Sequence, residues 1–188
     1  MRFLFRFLIK QQQQQQRMAS SNFRRITPGP GQESVWDYPR PPRLEDTSKH
    51  IEVISNGVKI ADTRRAKRVL ETSHPPTYYL PPEDVRVKEF FKPVSDKKSS
   101  FCEWKGTANY YTIEVNGKKV ENAAWFYKKP TEPDFSTIKD HIAIYPDKMD
   151  ECRVDGERVI PQPGQFYGGW ITKDIVGPFK GEPGTMGW

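Results

Sequence analysis

The sequence predicts a mainly β protein built around a single compact antiparallel sheet that is closed or strongly curved, as in a barrel. Three short alternating segments after residue 50 each contain a two-residue turn signal: Asn56-Gly57, Asn116-Gly117 and Asp155-Gly156. These dipeptides favour tight hairpins because type I′ turns need positive φ at both central residues. The sequence shows no long amphipathic helix and no alternation of strands with helices, which argues against a doubly wound α/β fold.

The middle hairpin, "YYTIEVNGKKVENAAWFY", allows a prediction residue by residue. With a two-residue loop and no bulge, the ladder gives these pairs: Val115 with Lys118, Glu114 with Lys119, Ile113 with Val120, Tyr111 with Asn122, Tyr110 with Ala123 and Ala108 with Trp125. Side chains alternate between the two faces of a strand. We therefore expect one face to be core (Tyr111, Ile113, Val115, Val120) and the other to be an aromatic pocket wall (Tyr110, Trp125, Tyr127).

Two shorter segments have helical character. "TRRAKRVLE" (63–71) predicts a short helix that runs into a strand near Val69 and Leu70. "PPEDV" (81–85) predicts a single helical turn, because proline is favoured at the first helical position and acidic residues in the first turn.

The chain is expected to divide into an extension and one domain. Residues 1–33 are predicted to be a disordered basic and glutamine-rich extension, and residues 34–188 a single β domain. The flanking segments 34–45 and 161–188 are rich in aromatic residues, which disordered tails rarely contain in such numbers. They are therefore predicted to wrap around the sheet as extended terminal segments.

The net charge of +6 comes from the extension. Six of the 30 lysines and arginines precede residue 33, so 24 remain in the body against 24 acidic residues. "RRAKR" (64–68) is the one dense basic run of the body and is interpreted as solvated surface. A neutral body of this kind argues against a nucleic-acid-binding protein.

The compartment is predicted from what the sequence contains. Cys102 and Cys152 are too few to form a disulfide framework, and no apolar run approaches the length of a membrane span. A cytoplasmic location follows, since reducing compartments leave thiols free. The alternative is mitochondrial: "MRFLFRFLIK" places Arg2, Arg6 and Lys10 on one helical face, as in a presequence, if Met1 rather than Met18 is the start.

Several motifs in a fixed order resemble one known family. They are "IADTRRAKRVLETSHPPTYYLPPEDV", "CEWKGTANYY", "AAWFYKKP" and "HIAIYP". Together they resemble the domain-of-unknown-function 427 family over about residues 49–155, and the flanks resemble its longer-form subgroup. The resemblance implies a compact all-β domain of the β-tent kind, with a nucleotidyltransferase-like label. Glu103 departs from the family, since bacterial members often have proline at this position.

The residues do not support nucleotidyl transfer. That reaction needs neighbouring carboxylates to hold two Mg²⁺ ions, and the chain lacks the Asp-x-Asp or Asp-x-Glu pair that usually supplies them. It also lacks the phosphate-binding loop motifs rich in glycine. Its three histidines and two cysteines have no metal-ligand spacing. We therefore predict neither a metal nor another cofactor.

What remains is a set of aromatic and polar residues in the family motifs. We expect a pocket that binds a small heterocyclic or nucleotide-like ligand, since such pockets combine aromatic walls with a few convergent polar groups. The candidate ligand-binding residues are Glu71, His74, Tyr79, Cys102, Trp104, Lys105, Trp125 and Tyr127. "FCEWKG" (101–106) is expected to be a strand that ends at Gly106, with Cys102 and Lys105 on opposite faces.

Two other functions remain open from the sequence. The chain is an enzyme if Cys102 is a nucleophile or if Glu71 and His74 act as a pair; the alternative is that Cys102 is a thiol packed in the core. The chain is a structural protein if its aromatic C-terminal segment or an exposed strand edge forms a homodimer. The sequence leaves enzymatic activity undecided.

Overall fold

The computed structural model describes residues 24–95 and 98–188. The basic stretch and the glutamine run at the N-terminus, and with them the presequence interpretation, lie outside the described residues. Within them, no helix has the length and apolar character needed to cross a bilayer.

Strands dominate the described part of the chain. In chain order they are β1 (Glu33–Ser34), β2 (Arg43–Asp46), β3 (Ile51–Ser55), β4 (Val58–Thr63), β5 (Lys67–Leu70), β6 (Thr77–Tyr79), β7 (Phe91–Pro93), β8 (Ser99–Cys102), β9 (Gly106–Val115), β10 (Lys118–Tyr127), β11 (Ala143–Ile144), β12 (Glu151–Val154), β13 (Glu157–Arg158), β14 (Ile160–Pro161), β15 (Trp170–Ile171) and β16 (Ile175–Val176). The helices are α1 (Val87–Phe90) and the 3₁₀ segments Pro82–Asp84, Pro133–Ile138 and Pro146–Lys148.

The strands of residues 24–95 and 98–188 form five sheets. The largest has the order β11-β10-β9-β7, with β8 also pairing with β9, and a four-stranded sheet has the order β13-β12-β3-β4. β2, β5 and β6 form a third sheet, β14 pairs with β15, and β1 pairs with β16 in parallel. The mainly β class is thus confirmed, but the single closed or strongly curved sheet is wrong. Pro93 and Pro161 end two of the strands, because proline cannot donate to the ladder.

The three predicted hairpins are confirmed. Each two-residue turn lies between paired strands, β3 and β4, β9 and β10, or β12 and β13. The first residue of each turn has a φ of 46° to 49°, and the glycines have a φ of 75° to 81°. Asparagine, aspartate and glycine tolerate this left-handed conformation better than other residues.

The predicted register of the middle hairpin is confirmed only near the tip of the hairpin. Val115–Lys118, Glu114–Lys119 and Ile113–Val120 pair as predicted. A bulge then shifts the ladder, so that Tyr111 lies opposite Ala124, Tyr110 opposite Trp125 and Ala108 opposite Tyr127. The cause lies at Asn122, whose φ of 49° takes it out of the extended conformation.

The short helix predicted within 63–71 is wrong, whereas the strand predicted near Val69 and Leu70 is confirmed. Thr63 ends β4, and Lys67–Leu70 forms β5, the central strand between β2 and β6. Helix propensity is a weak preference, and pairing on both sides together with burial of Val69 and Leu70 overrides it here. The helical turn predicted over 81–85 is confirmed as the 3₁₀ segment Pro82–Asp84.

The five-stranded sheet separates two apolar clusters. One face packs Ile113, Val115 and Phe126 into the largest cluster, together with β3, β4 and Trp170. The opposite face carries Trp125 and Tyr127 into a second cluster that is closed by Phe135 and Ile138. The two faces predicted for the middle hairpin are therefore confirmed, and the second one holds the cavity described next.

Candidate functional site

A cavity of about 470 Å³ lies on the aromatic face of the five-stranded sheet. All eight side chains predicted from the sequence line it: Glu71, His74, Tyr79, Cys102, Trp104, Lys105, Trp125 and Tyr127. The structure thus brings them together; that they bind a ligand stays a prediction. Sequence reasoning did not include Tyr145, Gln162, Phe166, Tyr167 and Lys180 in the site, and these residues line the cavity as well.

The segment "FCEWKG" is a tight hairpin and not a single strand. β8 ends at Cys102, a turn covers 103–105, and Gly106 begins β9 opposite Cys102. Gly106 has a φ of 88°, and a Cβ there would lie 2.9 Å from Cγ2 of Thr131. Only glycine suits this position, because it accepts positive φ and leaves room for the neighbouring chain. The turn returns Lys105 to the side of Cys102, which corrects the expectation that they lie on opposite faces.

Lys105 is the buried cation of the cavity. Its exposed fraction is 8%, and its ammonium group lies beside the Cys102 thiol and 5.6 Å from the centre of the Phe135 ring. Burial lowers the pKa of Lys105, whereas Tyr79, Cys102 and Glu71 raise it, and the pKa is raised overall, so the group is charged. Glu71 acts on it from beyond ion-pair distance, since its carboxylate is in contact with Arg40. Within the described part of the chain, the Lys105 ammonium thus has no carboxylate in direct contact and can still bond an anionic or carbonyl oxygen.

An aromatic group forms the wall beside Lys105. Tyr79 is 1% exposed, and its ring packs against two partners, Trp125 and Tyr127. The ring centres of Tyr79 lie 6.3 Å from those of both partners. Burial raises the pKa of Tyr79 and of Tyr127, so both phenols remain neutral at physiological pH. This wall therefore has a fixed shape and no charge.

His74 is held as a neutral ring on another side of the cavity. Its Nδ1 lies 2.9 Å from the Thr72 carbonyl oxygen, and a carbonyl can only accept, so Nδ1 carries the proton. Burial lowers the pKa of His74, which keeps the ring neutral near pH 7. Nε2 is then a lone-pair acceptor. The ring packs edge-on against Tyr167, with 4.9 Å between centres.

The backbone before His74 is strained. Ser73 is fully buried with a φ of 69°, and its hydroxyl has no hydrogen-bond partner. A serine in the left-handed region costs free energy and persists only where surrounding contacts impose it. Those contacts are backbone hydrogen bonds from Ser73 to Val35 and from Lys180 to Ser73. The N-terminal and C-terminal flanks of the domain thus fix the segment that presents His74.

The remaining charges of the cavity are already paired. Glu71 forms an ion pair with Arg40 at 3.2 Å. Lys180 donates to the Trp188 carbonyl oxygen at 2.6 Å and lies 5.8 Å from the Tyr167 ring centre. Glu103 is exposed at the turn. Lys105 therefore differs from every other ionised group that lines the cavity within the described part of the chain.

The two cysteines have different environments. Cys152 is 2% exposed in the largest apolar cluster, where burial raises the pKa of its thiol. Cys102 is half-buried, lines the cavity and contacts Lys105. Cys102 thus packs against the second apolar cluster and also lines the cavity, and its reactivity stays a prediction.

A separate cluster of His50, Glu52 and Asp62 lies outside the cavity lining, on β3, β4 and the residue before β3. The ammonium group of Lys59 donates to Glu52 at 2.6 Å and to Asp62 at 2.8 Å. A lysine between two carboxylates supplies the positive charge that a metal ion would bring. This cluster is therefore a surface ion-pair network, of the kind that contributes little to stability.

The fold and the site together define a mainly β domain with an aromatic cavity around a buried lysine. A family model described as a domain of unknown function (DUF427), with the label NTP_transf_9, matches residues 43–155. Since this is more than half of the chain, the protein belongs to that family, as the motifs indicated. A comparison with curated proteins finds no match.

The cavity extends beyond the residues matched by the family model. Gln162, Tyr167 and Lys180 line it and come from the chain after residue 155. The aromatic density of 161–188 was the sequence signal that this segment packs on the domain. It gave no indication of which residues reach the cavity, because that depends on contacts between segments distant in sequence.

Proposed function

We propose that the cavity binds a small planar heterocyclic or nucleotide-like molecule. The observation that carries the proposal is the charge of Lys105, which is buried beside the aromatic wall with no described carboxylate in direct contact. A bound anionic or carbonyl oxygen would accept hydrogen bonds from this ammonium group and offset the cost of its burial.

Size and shape support a small ligand. A volume of about 470 Å³ lies within the usual range for small-molecule pockets, roughly 300–1,000 Å³. Trp125 and Tyr145 are in ring contact at 4.5 Å between centres, and Trp104 also lines the cavity. Aromatic side chains of this kind contact planar rings through stacked or edge-on arrangements.

The polar groups restrict which ring fits. Lys105 only donates, so the ligand must present an acceptor oxygen or nitrogen there. Nε2 of neutral His74 accepts, so a ligand N–H or O–H suits that side. A ring that bears both a carbonyl oxygen and an N–H, as nucleobases do, matches this donor and acceptor pattern better than a hydrocarbon does.

A binding screen with one matched variant tests the proposal. Nucleobases and nucleosides are added to the wild type and to Lys105→Met, which keeps the side-chain length and removes the charge, and binding is measured by thermal shift and then by calorimetry. Lys119→Met, at a solvent-exposed hairpin position outside the cavity, is the control. We expect at least one compound to bind the wild type and Lys119→Met, with about tenfold or greater loss in Lys105→Met. Failure of every ring compound to bind, or equal binding to Lys105→Met, contradicts the proposal.

A second candidate function is an enzyme that uses Cys102 as a nucleophile. The observation that favours it is the half-buried thiol that lines the cavity together with Lys105. Alkylation of the native protein near neutral pH, followed by peptide mapping, tests accessibility, with the buried Cys152 as internal control. Labelling of Cys102 before Cys152 supports this candidate, and labelling of both only after denaturation rules it out.

A further inference from the structure

We propose that a second pocket, next to the cavity, binds the phosphate group of a ligand whose ring lies in the cavity. This inference rests on the proposed function and narrows the ligand to a phosphorylated heterocyclic compound. The pocket has a volume of about 380 Å³. Lys148 supplies its positioned charge.

The two spaces are adjacent. Ser100, Tyr110, Tyr145 and Phe166 line both of them. Ser100 and Tyr110 are joined by a hydrogen bond of 2.6 Å between their hydroxyl groups, so the shared boundary is itself ordered. A molecule with a ring in the cavity and a short arm across this boundary would place the end of the arm in the second pocket.

The second pocket is positively charged. Lys98 and Lys148 line it, and no carboxylate side chain of the described residues does. The other polar side chains there include Ser99, Asn122 and Gln165, whose hydroxyl and amide groups can donate to phosphate oxygens. Two ammonium groups with neutral donors between them suit a dianionic group.

Lys148 is held in place before any ligand arrives. Its ammonium group donates to the carbonyl oxygens of Glu121 at 3.1 Å and Asn122 at 2.9 Å. It also lies 5.1 Å from the centre of the Tyr145 ring. An ammonium has three N–H donors, so two bonds to the protein leave one for a ligand. Because the side chain is already fixed, binding costs little of its conformational entropy.

The bulge in β10 is what makes this arrangement. The register shifts between Val120 and Ala124, and Asn122 takes the left-handed conformation with a φ of 49°. A regular ladder would pair the carbonyl groups of this stretch with β9; at the bulge, those of Glu121 and Asn122 accept from Lys148 instead. Bulges occur often beside functional sites, where they redirect side chains or backbone groups. The side chains of Asn122 and Lys148 therefore both line the second pocket.

The test compares nucleosides with their 5′-monophosphates by calorimetry. The proteins are the wild type, Lys148→Met, Lys148→Arg and the control Lys119→Met. In the wild type we expect at least one monophosphate to bind about tenfold or more tightly than its nucleoside, with the difference shrinking as salt is added. Lys148→Met should remove this difference and leave nucleoside affinity unchanged, Lys148→Arg should keep most of it, and Lys119→Met should keep all of it.

The outcomes separate the two proposals. If nucleosides bind in a Lys105-dependent way but the phosphate adds no affinity, or its gain persists in Lys148→Met, the phosphate pocket is wrong and the cavity proposal stands. If monophosphates bind in a Lys148-dependent way although nucleosides alone do not, the phosphate pocket is supported. Unchanged nucleoside binding shows that Lys148→Met is folded. If that variant does not fold, Lys98→Met is measured instead. Loss of the extra affinity for the monophosphate in Lys98→Met then supports the phosphate pocket, and its persistence contradicts it. If neither class of compound binds the wild type, both proposals are overturned.

Discussion

The two faces of the β9–β10 hairpin come from the same strands and differ in what they bury. On one face, Ile113 and Val115 are 0% and 1% exposed in a cluster of apolar side chains. On the other face, Trp125 and Tyr127 are nearly as well buried, but they line a cavity together with Cys102 and Lys105. Because side chains alternate along a strand, each of the ten-residue strands β9 and β10 contributes to the apolar core on one face and to the cavity on the other.

The two faces also differ in what they contribute to the stability of the fold. A filled apolar face contributes burial of apolar surface. The cavity face instead carries a buried cation, and the segment that presents His74 to the cavity contains a strained serine, Ser73. Strain of this kind is common at functional sites.

The largest expected effect is on the filled face. Ile113→Ala should lower the free energy of unfolding by about 2–5 kcal/mol, because it leaves a cavity in a packed cluster. Trp104→Ala removes a larger side chain that lines the existing cavity and should cost less stability. Denaturant unfolding of both variants checks the order. A greater loss for Trp104→Ala would break the distinction between the faces.

A smaller effect is expected at the adjacent tyrosines of β6, which point to opposite faces. Tyr79→Phe removes a buried hydroxyl group beside Trp125 and Tyr127, and it should cost about 0.5–1.5 kcal/mol, the usual contribution of one hydrogen bond. Tyr78→Phe is the control, since Tyr78 is equally buried but belongs to the apolar cluster. We expect unfolding measurements to show a smaller loss for Tyr78→Phe, and equal losses would contradict the hydroxyl arrangement.

The smallest effect is expected from the titration of His74. Its pKa is lowered in the folded protein, so the unfolded chain takes up a proton first as the pH falls. Stability contributed by neutral His74 is therefore present above about pH 6.5 and is lost as the pH drops from there to the lowered folded value. His74→Asn keeps a donor for the Thr72 carbonyl and cannot titrate.

Unfolding of wild type and His74→Asn from pH 7.5 to pH 5 isolates this contribution. The wild type should lose more stability than the variant over that interval. Parallel curves would mean that His74 is not buried as a neutral ring.

The sequence predicted the parts of this molecule that depend on local chemistry. Asn56-Gly57 and Asn116-Gly117 specify their own turns, and the alternation beside them assigns the two faces. The family motifs contained all eight proposed site residues. The bulge at Asn122 was not predicted, because nothing within "VENAAW" distinguishes it from a regular strand until its contact with Lys148 is known.

Other features were missed because contacts between distant segments decide them. "RRAKRVLE" favours a helix in isolation, but its Lys67–Leu70 portion is a strand because β2 and β6 pair with it on both sides. "EWK" carries no glycine or proline, so the turn that brings Lys105 back to Cys102 was not recognised; only Gly106 after it gave a signal. Lys180 and Tyr167 reach the cavity from the C-terminal segment, which local patterns do not reveal.

The most direct test of the central claim is to measure the melting temperature and the ligand affinity of Lys105→Met together. We expect the melting temperature to change little, because methionine keeps the length of the side chain and no described carboxylate in direct contact loses its partner. We expect the affinity for a ring compound that binds the wild type to fall by about tenfold or more. A clear fall in melting temperature with unchanged affinity would contradict this claim, because Lys105 would then support the fold and not a ligand.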